Sequence, residues 1–148
     1  MTEQQTAIHE AGHAVMACRC GPKLSSVSIV RDDQEGIAGF VRGPEASQVA
    51  SPQEAADRVL FILGGYAACI AAGVPAKGCN TDFNDANWLL MQWDLGSLDD
   101  WKSRAVEMMR LPSNKAAVRL VVERLIEAGE IEFDAVKACV VQADGDVE

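Results

Sequence analysis

Apolar side chains recur along this chain mostly at helical spacing, with one short exception near the start. Thr2-Glu3-Gln4-Gln5 has the pattern of a capping box, in which the threonine hydroxyl and the glutamine side chain satisfy backbone donors left free at a helix start. It predicts a helix running to about Arg19, stopped by Cys20-Gly21-Pro22. The exception follows. Ser25 to Val30 alternates polar and apolar residues at period two, and Gly36 to Val41 can pair with it across a polar turn over Asp32 to Glu35, which predicts a β-hairpin.

Ser51-Pro52-Gln53-Glu54 is a second capping-box pattern, with proline at the favoured first helical position. The helix it opens extends to about Ala72 and is apolar nearly all round, which suits a buried central helix. Gly64-Gly65 in its middle costs about 1 kcal/mol per glycine relative to alanine, a cost tolerated where another backbone must come close. After a loop over Gly73 to Asn80, Thr81 to Trp93 reads as a helix with Phe83, Ala86, Leu89 and Leu90 on one side and an acidic start that suits the macrodipole. Ser97-Leu98-Asp99-Asp100 caps a helix to about Arg110, and Pro112 interrupts it. Val118, Val121, Val122 and Leu125 then recur at i, i+3, i+4 and i+7 up to Gly129. A short helix from Phe133 to Val141 precedes a frayed acidic tail. The predicted class is mainly α with a small β-hairpin, in a single domain over residues 1–148.

Composition narrows the partners. A formal charge of -9 and a pI near 4.6 argue against a nucleic-acid or anionic-membrane surface, since phosphate binding needs clustered Lys and Arg. Neutral or basic partners are expected. The five cysteines, Cys18, Cys20, Cys69, Cys79 and Cys139, are odd in number, and no signal-like basic-apolar-small pattern opens the chain. They read as reduced, mostly buried thiols of a cytoplasmic protein. No apolar run reaches the length of about 18 residues needed to span a bilayer, the closest being Val59 to Val74, so no membrane span is expected.

The chain's only histidines, His9 and His13, stand four apart in the first predicted helix, so both imidazoles can reach one point in space. In His9-Glu10-Ala11-Gly12-His13 the two imidazoles would hold Zn²⁺ while Glu10 faces the metal-bound water. Zinc lowers the pKa of that water and polarises a peptide carbonyl, and the carboxylate takes the proton and later passes it to the leaving amine. The plainer alternative is a pair of ordinary histidines on a helix face. Gly12 weighs against it, because a glycine inside a helix is unfavourable unless a neighbouring segment must approach. Zinc needs a third protein ligand, and with no third histidine this must be a carboxylate or a thiolate. Cys18 and Cys20 lie in the same helix, poorly placed to close a tetrahedron with His9 and His13, and read as packing residues. The third ligand therefore lies downstream.

An ordered set of motifs carries a resemblance. "HEAGHA" at His9 to Ala14, "VSIVR" at Val27 to Arg31, Gly39, "GGYAA" at Gly64 to Ala68 and "GCNTDF" at Gly78 to Phe83 together resemble the peptidase domain of FtsH-type AAA+ zinc metalloproteases. The tail "AVRLVVERLIEAGEIEFDAVKACV" is similar to that family's final helices. The resemblance implies a helical peptidase domain with a zincin-like HExxH helix, His9 and His13 as zinc ligands, Glu10 as the catalytic glutamate and Asp82 as the third ligand. Asp85, one turn further along the same predicted helix, is the alternative ligand and reads more simply as a solvated carboxylate. Two departures from the family bear on substrate handling. Cys69 and Ile70 stand where acidic residues usually follow the glycine pair, and Gly78-Cys79-Asn80-Thr81-Asp82 replaces Gly-Ala-Ser-Asn-Asp.

Family members join this domain to an ATPase module and membrane-spanning helices, whereas this chain has no G-x-x-x-x-G-K-[ST] loop. The initiating Met favours an isolated peptidase domain over a fragment of something longer. The expected function is a zinc metalloendopeptidase acting on unfolded or short polypeptides, since a folded protein cannot enter the site without an unfoldase. A homo-oligomer and a separate ATPase partner are left open. The alternative is a catalytically weak or inactive zinc-binding structural or interaction protein derived from such a peptidase. A redox role for Cys18-Arg19-Cys20 and Cys79 has little support, because a C-x-C pair without nearby partners is weak. Tyr66 is the only tyrosine that could serve as an oxyanion donor, and its position does not assign it that role.

Overall fold

The computed structural model describes residues 2–30, 40–42 and 49–147. Its elements in chain order are α1 (Glu3–Cys20), β1 (Ser26–Ser28), β2 (Phe40–Arg42), α2 (Pro52–Ala72), α3 (Asn80–Trp93), α4 (Leu98–Arg110), α5 (Pro112–Ala128), β3 (Glu130–Glu132) and α6 (Phe133–Val147). The mainly helical class with a small antiparallel sheet is as expected.

Helix starts follow their caps. At α1 the Gln5 amide donates to Thr2 Oγ1 at 3.1 Å and the Thr2 amide to Gln5 Oε1 at 2.9 Å, a complete capping box. At α2 only half of the box forms. Ser51 Oγ accepts from the Glu54 amide at 3.1 Å, but Glu54 Oε2 accepts from Ala50, one residue before the cap, at 2.6 Å.

α1 is the hub. Every residue from Thr6 to Ala17 is buried, because α2, α5 and α6 pack around it and the first two strands cover it further. α2 lies across it as the predicted central helix, and also touches α3, α4 and α5. By length and composition alone α2 is apolar enough to cross a membrane, yet half of that stretch is buried inside the fold. Met16 of α1, Leu63 of α2, Met109 of α4 and Leu125 of α5 belong to a large apolar cluster among the described residues, all essentially inaccessible.

Two glycines let α1 and α2 approach. A Cβ on Gly12 would overlap the Gly64 carbonyl oxygen and lie 2.6 Å from Ala68 Cβ, and one on Gly64 would lie 2.6 Å from the Gly12 carbonyl oxygen. No side chain larger than hydrogen fits either position without parting the helices.

The sheet corrects the predicted hairpin in part. β1 pairs antiparallel with β2 in the register Val27↔Val41, but also with β3 in the register Val27↔Ile131, so the order is β2-β1-β3. The predicted turn over Asp32 to Glu35 and the segment from Gly36 to Gly39 lie outside the described residues. The third strand was unforeseen, since Glu130-Ile131-Glu132 is too short to show a period. The acidic tail also differs from expectation: α6 continues past Val141 to Val147. Ala143 is fully buried there, and Asp144 forms a two-pronged ion pair with Arg19 of α1, at 2.6 and 2.9 Å.

Candidate metal centre

His9 and His13 lie one turn apart on the same face of α1, both almost fully buried. Asp82 enters from the first turn of α3, and the three side chains converge. Nε2 of His13 is 3.1 Å from Nε2 of His9, and Asp82 Oδ2 is 3.3 Å from each. These are the separations of ligand atoms around a small ion. A tetrahedral ion with bonds of roughly 2.0 to 2.1 Å spaces its ligands about 3.3 to 3.4 Å apart. Among the described residues this is the group that could hold a metal ion.

Each imidazole is held from behind. Nδ1 of His13 lies 2.9 Å from the Phe61 carbonyl oxygen of α2. A carbonyl can only accept, so Nδ1 carries a proton and donates, and Nε2 is the nitrogen that faces the cluster. His9 has a sulfur partner: Cys79 Sγ lies 4.0 Å from its Nδ1. Gly65 makes room for both rings, because a Cβ there would stand 2.7 Å from His13 Nε2 and from His9 Cε1.

The electrostatics mark a site organised for charge. Burial pulls the His9 pKa down, but hydrogen bonds to Asp82, Cys69 and Cys79 outweigh it and push it up to about 12. Burial raises the Asp82 carboxyl, but the close approach of the His13 and His9 imidazoles more than reverses this and holds it well below the usual carboxylate range. Without an ion, the site thus favours positive charge on His9 opposite the Asp82 carboxylate. Glu10 is buried beside them. Desolvation raises its pKa, while His13 and then His9 work in the opposite direction.

Of the side chains singled out from the sequence, the structure brings together His9, His13 and Asp82, with Glu10 buried next to His9 in α1 but not among the three converging side chains. Asp85 is exposed and outside the group. Cys18 and Cys20 are half-buried away from it, with the Cys20 thiol donating to the Met16 carbonyl at 3.5 Å. Tyr66 stacks edge-on against Phe83, ring centres 5.2 Å apart, beneath the Lys102 ammonium. Sequence reasoning missed the Phe61 carbonyl, which has no residue-type signature, and the contact of Cys79 with His9. The latter had a signal: Cys79 precedes Asp82 by three residues, so the two share one turn. No protein-family model and no curated protein matches the chain.

Proposed function

We propose that the protein is a zinc metalloendopeptidase of the FtsH type, with His9, His13 and Asp82 as metal ligands and Glu10 as general base. The observation that carries this reading is the convergence of two imidazole nitrogens and one carboxylate oxygen within 3.3 Å of one another, beside a buried glutamate. Two nitrogen donors and one carboxylate suit zinc and leave a fourth position open, whereas calcium and magnesium favour all-oxygen sets. When bound, zinc supplies a Lewis acid that polarises a carbonyl and eases the ionisation of water.

The chain's residues supply the rest. The Phe61 carbonyl fixes the His13 tautomer, so that no proton need leave Nε2 before it can ligate. The Glu10 carboxylate accepts a proton from the attacking water and returns it to the leaving amine. Burial raises its proton affinity above that of an exposed glutamate, the direction that favours holding the proton between the two transfers. The substrates in this reading are unfolded or short polypeptides met in the cytoplasm, with an ATPase partner in trans where a folded substrate must be opened.

Glu10→Gln tests the reading. The amide keeps the size of the side chain but cannot take the proton, so zinc content should persist while casein cleavage falls by about 10² to 10⁴. Chelator should abolish cleavage by the parent protein. A parent that binds zinc yet cleaves nothing favours instead the zinc-binding interaction protein, and an unaltered rate in the variant removes Glu10 from the chemistry.

A further inference from the structure

We propose that Cys79 is a positioning residue for the metal centre, its thiol holding the His9 imidazole from behind so that Nε2 faces His13 and Asp82. The proposal rests on the metal-binding reading above and extends it to a residue that is not a ligand.

Three observations carry it. First, Cys79 is 4 % exposed, and its Sγ lies 4.0 Å from His9 Nδ1, the nitrogen turned away from the cluster. The separation is long for an oxygen acceptor but within reach of the larger sulfur. Second, the Cys79 thiol has a place for its own proton, the Lys77 carbonyl oxygen at 3.7 Å. With S–H directed there, a sulfur lone pair is free to accept Nδ1–H of His9. Third, Cys79 occupies the N-cap of α3 but makes no side-chain cap hydrogen bond. Its side chain serves the imidazole, while its carbonyl accepts the Phe83 amide at 2.9 Å and so opens the turn that carries Asp82. One residue thereby fixes the orientation of one ligand through its side chain and the start of another ligand's helix through its backbone.

The two histidines are consequently held unequally. His13 rests on a backbone carbonyl at 2.9 Å, a strong acceptor that no side-chain substitution removes. His9 rests on the Cys79 thiol at the start of α3, and sulfur is a weak acceptor. The His9 bond is the one that a change at a single side chain can loosen.

The test is zinc affinity, measured on the full chain by competition with a chromophoric chelator. Cys79→Ala should bind zinc about 10- to 100-fold more weakly, the usual consequence of removing the partner behind a ligand. Cys139→Ala is the matched control: that thiol is also 4 % exposed but lies in α6, outside the metal group, so its loss should leave affinity within about threefold of the parent. A merely structural role for Cys79 predicts instead that both variants bind alike, and parent-like affinity in Cys79→Ala overturns the proposal. Should Cys79→Ala fail to fold, the zinc-loaded parent decides by NMR. A slowly exchanging His9 Nδ1 proton with a nuclear Overhauser contact to the Cys79 β-protons supports the role, and a fast-exchanging proton without that contact overturns it. A parent protein that takes up no zinc overturns the metal reading and this role with it, a pattern distinct from failure of the Cys79 role alone.

Discussion

Gly65→Ala should separate metal binding from folding. Gly65 lies inside α2, outside the left-handed region, so alanine suits its backbone and should favour the helix by about 0.8 to 1.0 kcal/mol. The added Cβ, however, would stand 2.7 Å from His13 Nε2 and 2.8 Å from His9 Nδ1. Ordinary contact begins near about 3.5 Å, so the rings must withdraw by roughly 0.7 Å. For the fold this is a small disturbance. It moves the far ends of two side chains and strains chiefly the His13 hydrogen bond to Phe61, worth about 0.5 to 1.5 kcal/mol, and the weaker contact of His9 with Cys79. For an ion it is large, because ligand distances tolerate only about 0.2 Å. The metal-free variant should therefore melt within about 1 kcal/mol of the parent, while zinc affinity drops by more than about 100-fold. Gly12→Ala provides the contrast: it makes the same propensity gain, but its Cβ meets the backbone of α2, so the helices must part at an overpacking cost of about 1 to 3 kcal/mol. Thermal melts of both metal-free variants and a chelator competition measure the two effects. A Gly65→Ala protein that binds zinc within a few-fold of the parent would refute the account of how this glycine serves the site.

Other expectations follow from the same geometry. Asp82→Ala should weaken zinc binding strongly in a chelator competition, and Asp85→Ala should change it by less than about threefold, because only Asp82 reaches the imidazoles. Burial pushes the Cys18 and Cys20 thiols up to about 11, so at pH 8 both stay protonated and should alkylate slowly with iodoacetamide, faster only as pH rises toward that value; rapid labelling seen by mass spectrometry at pH 8 would contradict this. Asn114 accepts from Arg19 Nε at 2.8 Å and donates to the Met108 carbonyl at 2.7 Å, so Asn114→Ala strands two polar partners and should cost about 1 to 3 kcal/mol in a denaturant melt.

Much of this arrangement was legible in the sequence because its determinants are local. Thr2 with Gln5, Ser51 with Pro52, Ser97 and the terminal Gly129 mark helix ends that the structure reproduces to within a residue or two, and the tight packing foreseen at Gly12 and Gly64 is present. The spacing of His9 and His13 brought two imidazoles to one face with no tertiary information. What escaped depends on distant partners. β3 exists because Ile131 finds Val27, and the end of α6 persists because Asp144 meets Arg19, residues at opposite ends of the chain. Asp82 belongs to the same class: by composition it is one acidic residue among many, and only family resemblance singled it out beforehand. Glu54 shows the reverse error, a correct local motif whose second hydrogen bond went to Ala50 instead.

The burial of α1 has a consequence for how an ion would leave. Twelve successive residues of that helix are enclosed, whereas α3 buries only Ala86, Leu89 and Leu90 and rests chiefly on α2 and α4. The two imidazoles thus belong to the part of the fold that opens last, and the carboxylate to a part that opens sooner. Residence time at the site is then set by the fraying of α3 and not by global unfolding. Amide exchange should report this as low protection around Asp82 beside high protection around His9 and His13, with the release rate of the ion tracking the former.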